Sequence, residues 1–229
     1  EMTFLPGESA SPSDWKETVR RWQFLALEPD RMGAPSRQRM SGGPPMLNRD
    51  GSNLGQYLLS LREASVEAFN DLLDALRFVL PYARDVQMSI TQEIERRVYL
   101  EMTEEKLKIP GWLLSTGTLR ILALLACLRH PDPPLLLVVE EIENGLDPRT
   151  IHLLVEEFRA AIAAKKTQIV VTTHSPYLLD LLDLSHVIVV ERVEGELVFT
   201  RPNKEKLRDW SKSFAPGRLY TMGRLTRDQ

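Results

Sequence analysis

Leu135 to Pro148 reads LLLVVEEIENGLDP. Five consecutive apolar residues stop at Glu140 and Glu141, and a glycine and a Leu-Asp-Pro follow. An apolar run with no polar alternation predicts a strand buried on both faces, as inside a parallel sheet. Such sheets gather ligand chemistry at the C-terminal ends of their strands. Glu140 and Glu141 stand at such an end. Successive strand residues point to opposite faces, so one carboxylate can serve a metal while its neighbour faces a reacting water.

Downstream, Asp147 and Pro148 predict an N-cap and a first helical residue. Ile151, Leu154, Val155, Phe158 and Ile162 then recur at helical spacing and give that helix one apolar face. Gln168 to Thr172 (QIVVT) predicts a second buried strand, which runs into THSPYLLDLL and places His174 just beyond its end. Val187 to Val190 and Leu197 to Thr200 predict a hairpin around Glu194 and Gly195. Strand, helix, strand, helix, strand in this order implies a parallel sheet with right-handed crossovers.

Upstream, LSTGTLRILALLACL predicts a glycine-bearing turn followed by a strongly apolar helix. Ser115 and Gly117 sit at the mouth of that helix, where backbone N–H groups, a hydroxyl and the helix dipole suit a phosphate. Taken alone, the motif also reads as a plain N-cap by Ser115 or Thr116. Glu140, Glu141 and Glu143 near a helix start can likewise serve its dipole without a metal. His174 alone can be a loop histidine bonded to backbone.

Order and spacing join these pieces. The 25 residues from Ser115 to Glu140 hold one helix, a turn and a strand, and the 33 from Glu141 to His174 hold a helix and the next strand. Both acids and the histidine thus fall at C-terminal ends of neighbouring strands, facing one crevice.

Further upstream, Leu54 to Leu80 predicts two helices with a break near Ala64 and Ser65, closed by Pro81. Val86 to Thr103 predicts two strands of a hairpin. Trp22 to Leu27 is a short strand candidate ended by Pro29, residues 29 to 53 read as a long breaker-rich loop, and residues 1 to 14 read as a linker. Three regions follow. Residues 1–110 form a connecting strand, a long loop and a helical and hairpin subdomain, residues 111–200 form the core with the motifs, and residues 201–229 form a basic tail.

The motif set resembles that of ABC-class ATPases over Trp112 to Leu182. LSTGT resembles the signature motif, LLLVVEE the Walker B strand with its catalytic glutamate, NGLDP the D-loop and THSP the switch histidine. With Glu140 where transporter subunits usually carry Asp, EEIENGLDP looks like the soluble ATPases related to RecF, SMC and OLD proteins, and DGSNLGQYLLSL also looks like that group. The resemblance implies an α/β chain, the C-terminal part of an ABC ATPase (P-loop NTPase) fold, with a mainly parallel sheet flanked by helices and a helical subdomain. It implies that Glu140 holds Mg²⁺, directly or through a water, and that Glu141 orients or deprotonates the water attacking the γ-phosphate of ATP. His174 is then the residue that contacts this phosphate and senses its loss. Asp147 crosses to the partner protomer of a homodimer, and Ser115 and Gly117, with Thr116 between them, bind the γ-phosphate of ATP held by the other subunit. Phosphoryl transfer needs mostly positioning and charge stabilisation, which a site split between subunits can supply.

The phosphate-cradling loop G-x-x-x-x-G-K-[ST] should accompany these motifs in the same fold. No Gly-Lys dipeptide occurs in the 229 residues, and neither Gly33 nor Gly42-Gly43 is followed by Lys at the required offset. The family places this loop in an N-terminal half, so the chain is expected to be the C-terminal part of a longer ATPase, in keeping with its start at Glu1. The alternative is a natural half that pairs with a separate loop-bearing chain. Either way, the chain alone is expected to be inactive.

Composition is that of a soluble globular protein, 43% hydrophobic and 27% charged. A net charge of -3 gives no global pull toward nucleic acid or anionic lipid. Cys127 is the sole cysteine and cannot form an internal disulfide, so a reducing, cytoplasmic setting and a packed core thiol are expected. No apolar stretch approaches the about 20 residues that span a bilayer, and the first residues lack a signal peptide's pattern. From Arg201 onward eight basic residues face three acidic ones. They are candidate contacts to DNA phosphates, although a solvated helix packed through Leu207, Trp210 and Phe214 is the simpler expectation. The function expected from all this is ATP binding and Mg²⁺-dependent hydrolysis at a dimer interface, as a switch in DNA maintenance or phage defence. A nucleotide-gated scaffold with little hydrolysis is the runner-up, and a transporter ATPase subunit comes third.

Overall fold

In the computed structural model, residues 11–38, 46–92, 95–207, 209–211 and 213–225 are described. Helix α1 (Pro12–Arg20) starts inside the stretch expected to be a linker. Ser11 Oγ accepts from the Asp14 N–H while the Asp14 carboxylate accepts from the Ser11 N–H, a complete capping box. The rest of that stretch, residues 1–10, lies outside the described residues. Strand β1 (Trp22–Leu25) follows as expected. The region expected to be loop holds two short elements, α2 (Pro29–Met32) and β2 (Ser36–Arg37), and its residues 39–45 lie outside the described ones.

Helices α3 (Leu54–Ala64) and α4 (Val66–Val79) break at Ser65, whose extended backbone (φ -158°, ψ 112°) stops one helix while its hydroxyl accepts from the Ala68 N–H to start the next. Strands β3 (Ala83–Ile90) and β4 (Arg97–Glu104) form the expected antiparallel hairpin. A short strand the sequence did not signal, β5 (Leu107–Pro110), extends it on the other side of β4, and β2 also pairs with β4. Helix α5 (Thr116–Arg129), strand β6 (Leu136–Val139), helix α6 (Pro148–Ala163), strand β7 (Gln168–Val171) and helix α7 (Pro176–Asp180) then alternate. The chain continues through β8 (Val189–Val193), β9 (Glu196–Thr200), α8 (Lys204–Leu207) and α9 (Pro216–Thr221).

The parallel sheet runs β1-β6-β7, with Trp22 opposite Leu136 and Leu136 opposite Gln168. Its third strand is β1, brought from far upstream. Among the described residues β8 pairs only with β9, because a tight turn at Glu194 (φ 51°) and Gly195 (φ 91°) supplies an immediate antiparallel partner. The strand over Leu136–Val139 alternates in burial. Leu137 and Val139 are fully buried with Leu25, while Leu136 and Val138 are only half-buried and their neighbours Phe24 and Val170 are exposed. One face of this sheet therefore carries the core, which it shares with Ile121, Leu122 and Leu125 of α5 and Ile151 and Leu154 of α6.

Helix α5 is buried from Thr118 to Leu128, as expected of a helix that is apolar all round. Cys127 lies on it, and burial pushes its thiol up to about 12, partly offset by a hydrogen bond to Tyr57. The thiolate fraction at pH 8 is then roughly one in ten thousand. A disulfide-exchange reagent at pH 8 should leave the native chain unlabelled while the urea-unfolded chain reacts at once, and equal rates would mean that Cys127 is not in the core. In the C-terminal tail, Leu207, Leu219 and Leu225 form a second small cluster with Phe214. Trp210 lies tilted against Phe214, with the Arg224 guanidinium 4.7 Å from the indole centre. The helix expected through Leu207, Trp210 and Phe214 is, among the described residues, confined to α8, so Leu207 and Phe214 join this cluster from different segments while Trp210 stays exposed. No helix among the described residues is long and apolar enough to cross a membrane.

Candidate active site

The turn after β6 is built by hydrogen bonds that carry on from the sheet. The Glu140 N–H donates to the Leu25 carbonyl (2.8 Å), and the Thr172 N–H donates to the Val139 carbonyl (3.0 Å). Thr172 then takes over the next two donors. Its Oγ1 accepts from the Glu141 N–H (2.9 Å) and its carbonyl from the Ile142 N–H (3.2 Å). Between these bonds Glu141 adopts a left-handed backbone with φ +45°, which a residue with a side chain occupies only when its surroundings hold it there.

Each acid of the turn has a defined contact. Glu140, half exposed, accepts from the Arg49 guanidinium at 2.6 Å. Glu141 is exposed and accepts from the Asn144 side-chain amide. Glu143 accepts the His174 backbone N–H at 2.6 Å, and its second oxygen is buried with no hydrogen-bond partner. His174 is exposed, with its Nδ1 3.4 Å from the Tyr220 hydroxyl of α9. Beyond the ends of two adjacent parallel strands, Glu143 is thus bonded to the His174 backbone and the Glu141 backbone to Thr172.

The other candidate residues meet at the far end of the same loop. Ser115 caps α5, its Oγ accepting from the Thr118 N–H at 3.1 Å, while Ser115 and Thr116 stay exposed. Gly117 abuts Gly145. A Cβ on Gly117 would lie 2.5 Å from the Gly145 carbonyl oxygen, and Gly145, at φ +73°, would place its own 2.6 Å from Thr116 Cγ2. Asp147 is the N-cap of α6. Its Oδ1 accepts from the Arg149 and Thr150 N–H groups (3.0 and 3.1 Å) and its Oδ2 from the Thr150 hydroxyl (2.5 Å). The Thr150 hydroxyl bond, reinforced by these backbone donors, holds its carboxyl below the usual carboxylate range.

Among the described residues no group of three or more His, Cys, Asp or Glu side chains could hold a metal. Magnesium carried in on phosphates needs only one or two protein carboxylates. Glu140, a hard oxygen donor open to solvent and already facing a cation, fits that role.

Sequence reading missed several members of this region. Arg120 is the most telling, because a lone cation inside LRILALLACL signals a buried charge that needs partners. Thr172, Asn144 and Tyr220 carry no comparable signal, and Arg49 lies in the breaker-rich stretch taken as loop.

Residues 10–180 match the family described as AAA domain, putative AbiEii toxin, Type IV TA system. The chain belongs to this AAA family. The match takes in every candidate residue from Ser115 to His174. Among solved structures, one reported under the structural biochemistry of ATP-driven dimerization and DNA-stimulated activation of SMC ATPases aligns with TM-score 0.51 and 13% identity, covering 68% of this chain and 95% of that one. The Smc head domain of Pyrococcus furiosus, with an extended coiled coil and bound to the C-terminal domain of ScpA, aligns with TM-score 0.49 and 14% identity, covering 72% of this chain and 43% of that one. This AAA chain therefore spans under half of that second chain. No curated protein matches it. The AAA chain is thus an ATPase-like domain of P-loop type, an α/β fold like that of SMC ATPase heads, with its parallel sheet flanked by helices.

Proposed function

We propose that this chain carries the hydrolytic carboxylates of an ABC-type ATPase that binds and hydrolyses ATP at a dimer interface. The observation that carries this reading is the Thr172 junction, which ties the Glu141 backbone to the end of β7 that leads to His174 while the Glu141 side chain stays exposed. A water on the γ-phosphate then finds a general base in Glu141, and His174, two residues after Thr172, contacts the phosphate. Mg²⁺, when bound, neutralises phosphate charge, and Glu140 is the residue that would hold it, releasing Arg49. Ser115 and Thr116, exposed at the N-terminus of α5, offer a hydroxyl-lined helix end to the ATP of a second subunit. Asp147, although committed to capping α6, stands exposed beside them for a contact across the dimer.

The biological role we assign is a switch in DNA maintenance or phage defence, its DNA part supported by a fold neighbour reported with DNA-stimulated activation. A second reading, a nucleotide-gated scaffold with little hydrolysis, draws on the engagement of Glu140 by Arg49 and of Glu141 by Asn144. Phosphate release separates the two. The chain by itself should release none, and with a segment supplying G-x-x-x-x-G-K-[ST] it should turn over ATP only with Mg²⁺ present. Nucleotide-dependent dimers that form without turnover would favour the scaffold, and turnover by the chain alone would defeat the dependence on the phosphate loop.

A further inference from the structure

Arg120 sits on the second turn of α5, 3% exposed, in a helix whose other buried positions are almost all apolar. Its Nη1 donates to the Leu27 carbonyl (3.0 Å) and its Nη2 to the Glu141 carbonyl (2.7 Å), with the Glu140 carbonyl at 3.4 Å. Its Nε is buried with no partner. Burial works against the charged form of this guanidinium, and the nearby carboxylates of Glu141 and Glu143 sustain it. An apolar side chain of similar volume would fill the space without that desolvation. Packing therefore does not account for an arginine here. What the planar fork adds is a tie between carbonyls of two chain segments, the one after β1 and the turn after β6.

One of those carbonyls belongs to Glu141, the residue held at φ +45°. The N–H side of Glu141 is tied to Thr172 and its carbonyl side to Arg120, so the strained residue is gripped from both ends. Arg120 also lies only five residues beyond Ser115 on the same rigid helix, about 7.5 Å along its axis. We propose that Arg120 is a positioning residue that holds Glu141 in its left-handed conformation and couples the exposed Ser115–Gly117 turn of α5 to the carboxylate acting on water. The coupling rests on the reading of Glu141 as the hydrolytic base, whereas the grip on the turn does not. A shift of α5 on engaging a second subunit's nucleotide reaches Glu141 through one side chain.

Two variants and two measurements test this. Arg120→Lys keeps the charge and loses the fork, and Arg120→Met loses both while keeping an unbranched side chain that packs in an apolar core, so at least one should fold. In the chain itself, amide hydrogen exchange at residues 141–146 should quicken at least tenfold in both, while exchange in the β3–β4 hairpin stays unchanged. Unchanged exchange at 141–146 overturns the proposal. In the assembled ATPase, both variants should lower kcat at least tenfold and leave KM for ATP within threefold. A merely structural role would move kcat, KM and hairpin exchange together, and full activity of Arg120→Lys would show that charge suffices; either result overturns the proposal. Glu141→Gln run alongside tells the two readings apart. If it leaves hydrolysis intact, the base assignment and the coupling fall, and the exchange result still decides the grip.

Discussion

Glu141→Gln, in the ATPase assembled with its phosphate loop, should lower hydrolysis at least a hundredfold and leave an ATP-bound dimer that survives a sizing column. The substitution is nearly isosteric, and the bonds that shape the turn are made by the backbone of Glu141 to Thr172 and Arg120, so they persist. The Asn144 amide still finds an oxygen to donate to. What disappears is the group able to accept a proton from water, a contribution of about 10² to 10⁴ in rate for a positioned general base. In the proposed split site nucleotide binding draws on other residues, so ATP should accumulate at the interface in place of ADP. A residual rate within tenfold of wild type removes Glu141 from the role of base. A monomer in saturating ATP counts against the split site.

Gly117→Val should both unfold the chain earlier and abolish ATP-dependent association. The new Cβ would lie 2.5 Å from the Gly145 carbonyl oxygen, a backbone atom that cannot swing aside, and Leu146 Cδ2 would be 3.3 Å away. Overpacking of this kind costs about 1–3 kcal/mol, read as a lower urea midpoint at unchanged slope. The same displacement separates Ser115 and Thr116 from the loop that ends at Asp147, the two surfaces proposed to meet a second subunit. Gly117→Ala should show the same effects more weakly, because it adds Cβ alone. A Val variant with wild-type midpoint and normal dimers would mean that the two loops part freely.

Local pattern made much of this chain readable. The run over Leu136–Val139, the Asp147 cap and the face of Ile151, Leu154, Val155 and Phe158 each announce an element through neighbours in sequence, and those elements form where the pattern places them, although Ile162, expected on the same face, is exposed in the last turn of α6. Pairing between distant segments was harder to see. Nothing in Trp22–Leu25 marks it as the partner of β6 in place of β8, because that choice depends on chain far away. The half-burial of Leu136 and Val138 was missed for a related reason, since burial of a strand's second face depends on what else covers it. Arg120 shows the same limit within the site. Its charge in an apolar helix was visible, but its acceptors are backbone carbonyls of Leu27 and Glu141, and carbonyls leave no trace in residue types.

The left-handed backbone of Glu141 has one more consequence. Asparagine enters that conformation more readily than glutamate, and glycine more readily still, so either would relax the turn. Neither carries a carboxylate. With Glu141 as the proposed base, selection for thermal robustness and selection for turnover pull this position in opposite directions, and substitutions that stabilise the chain here should be sought among its least active variants.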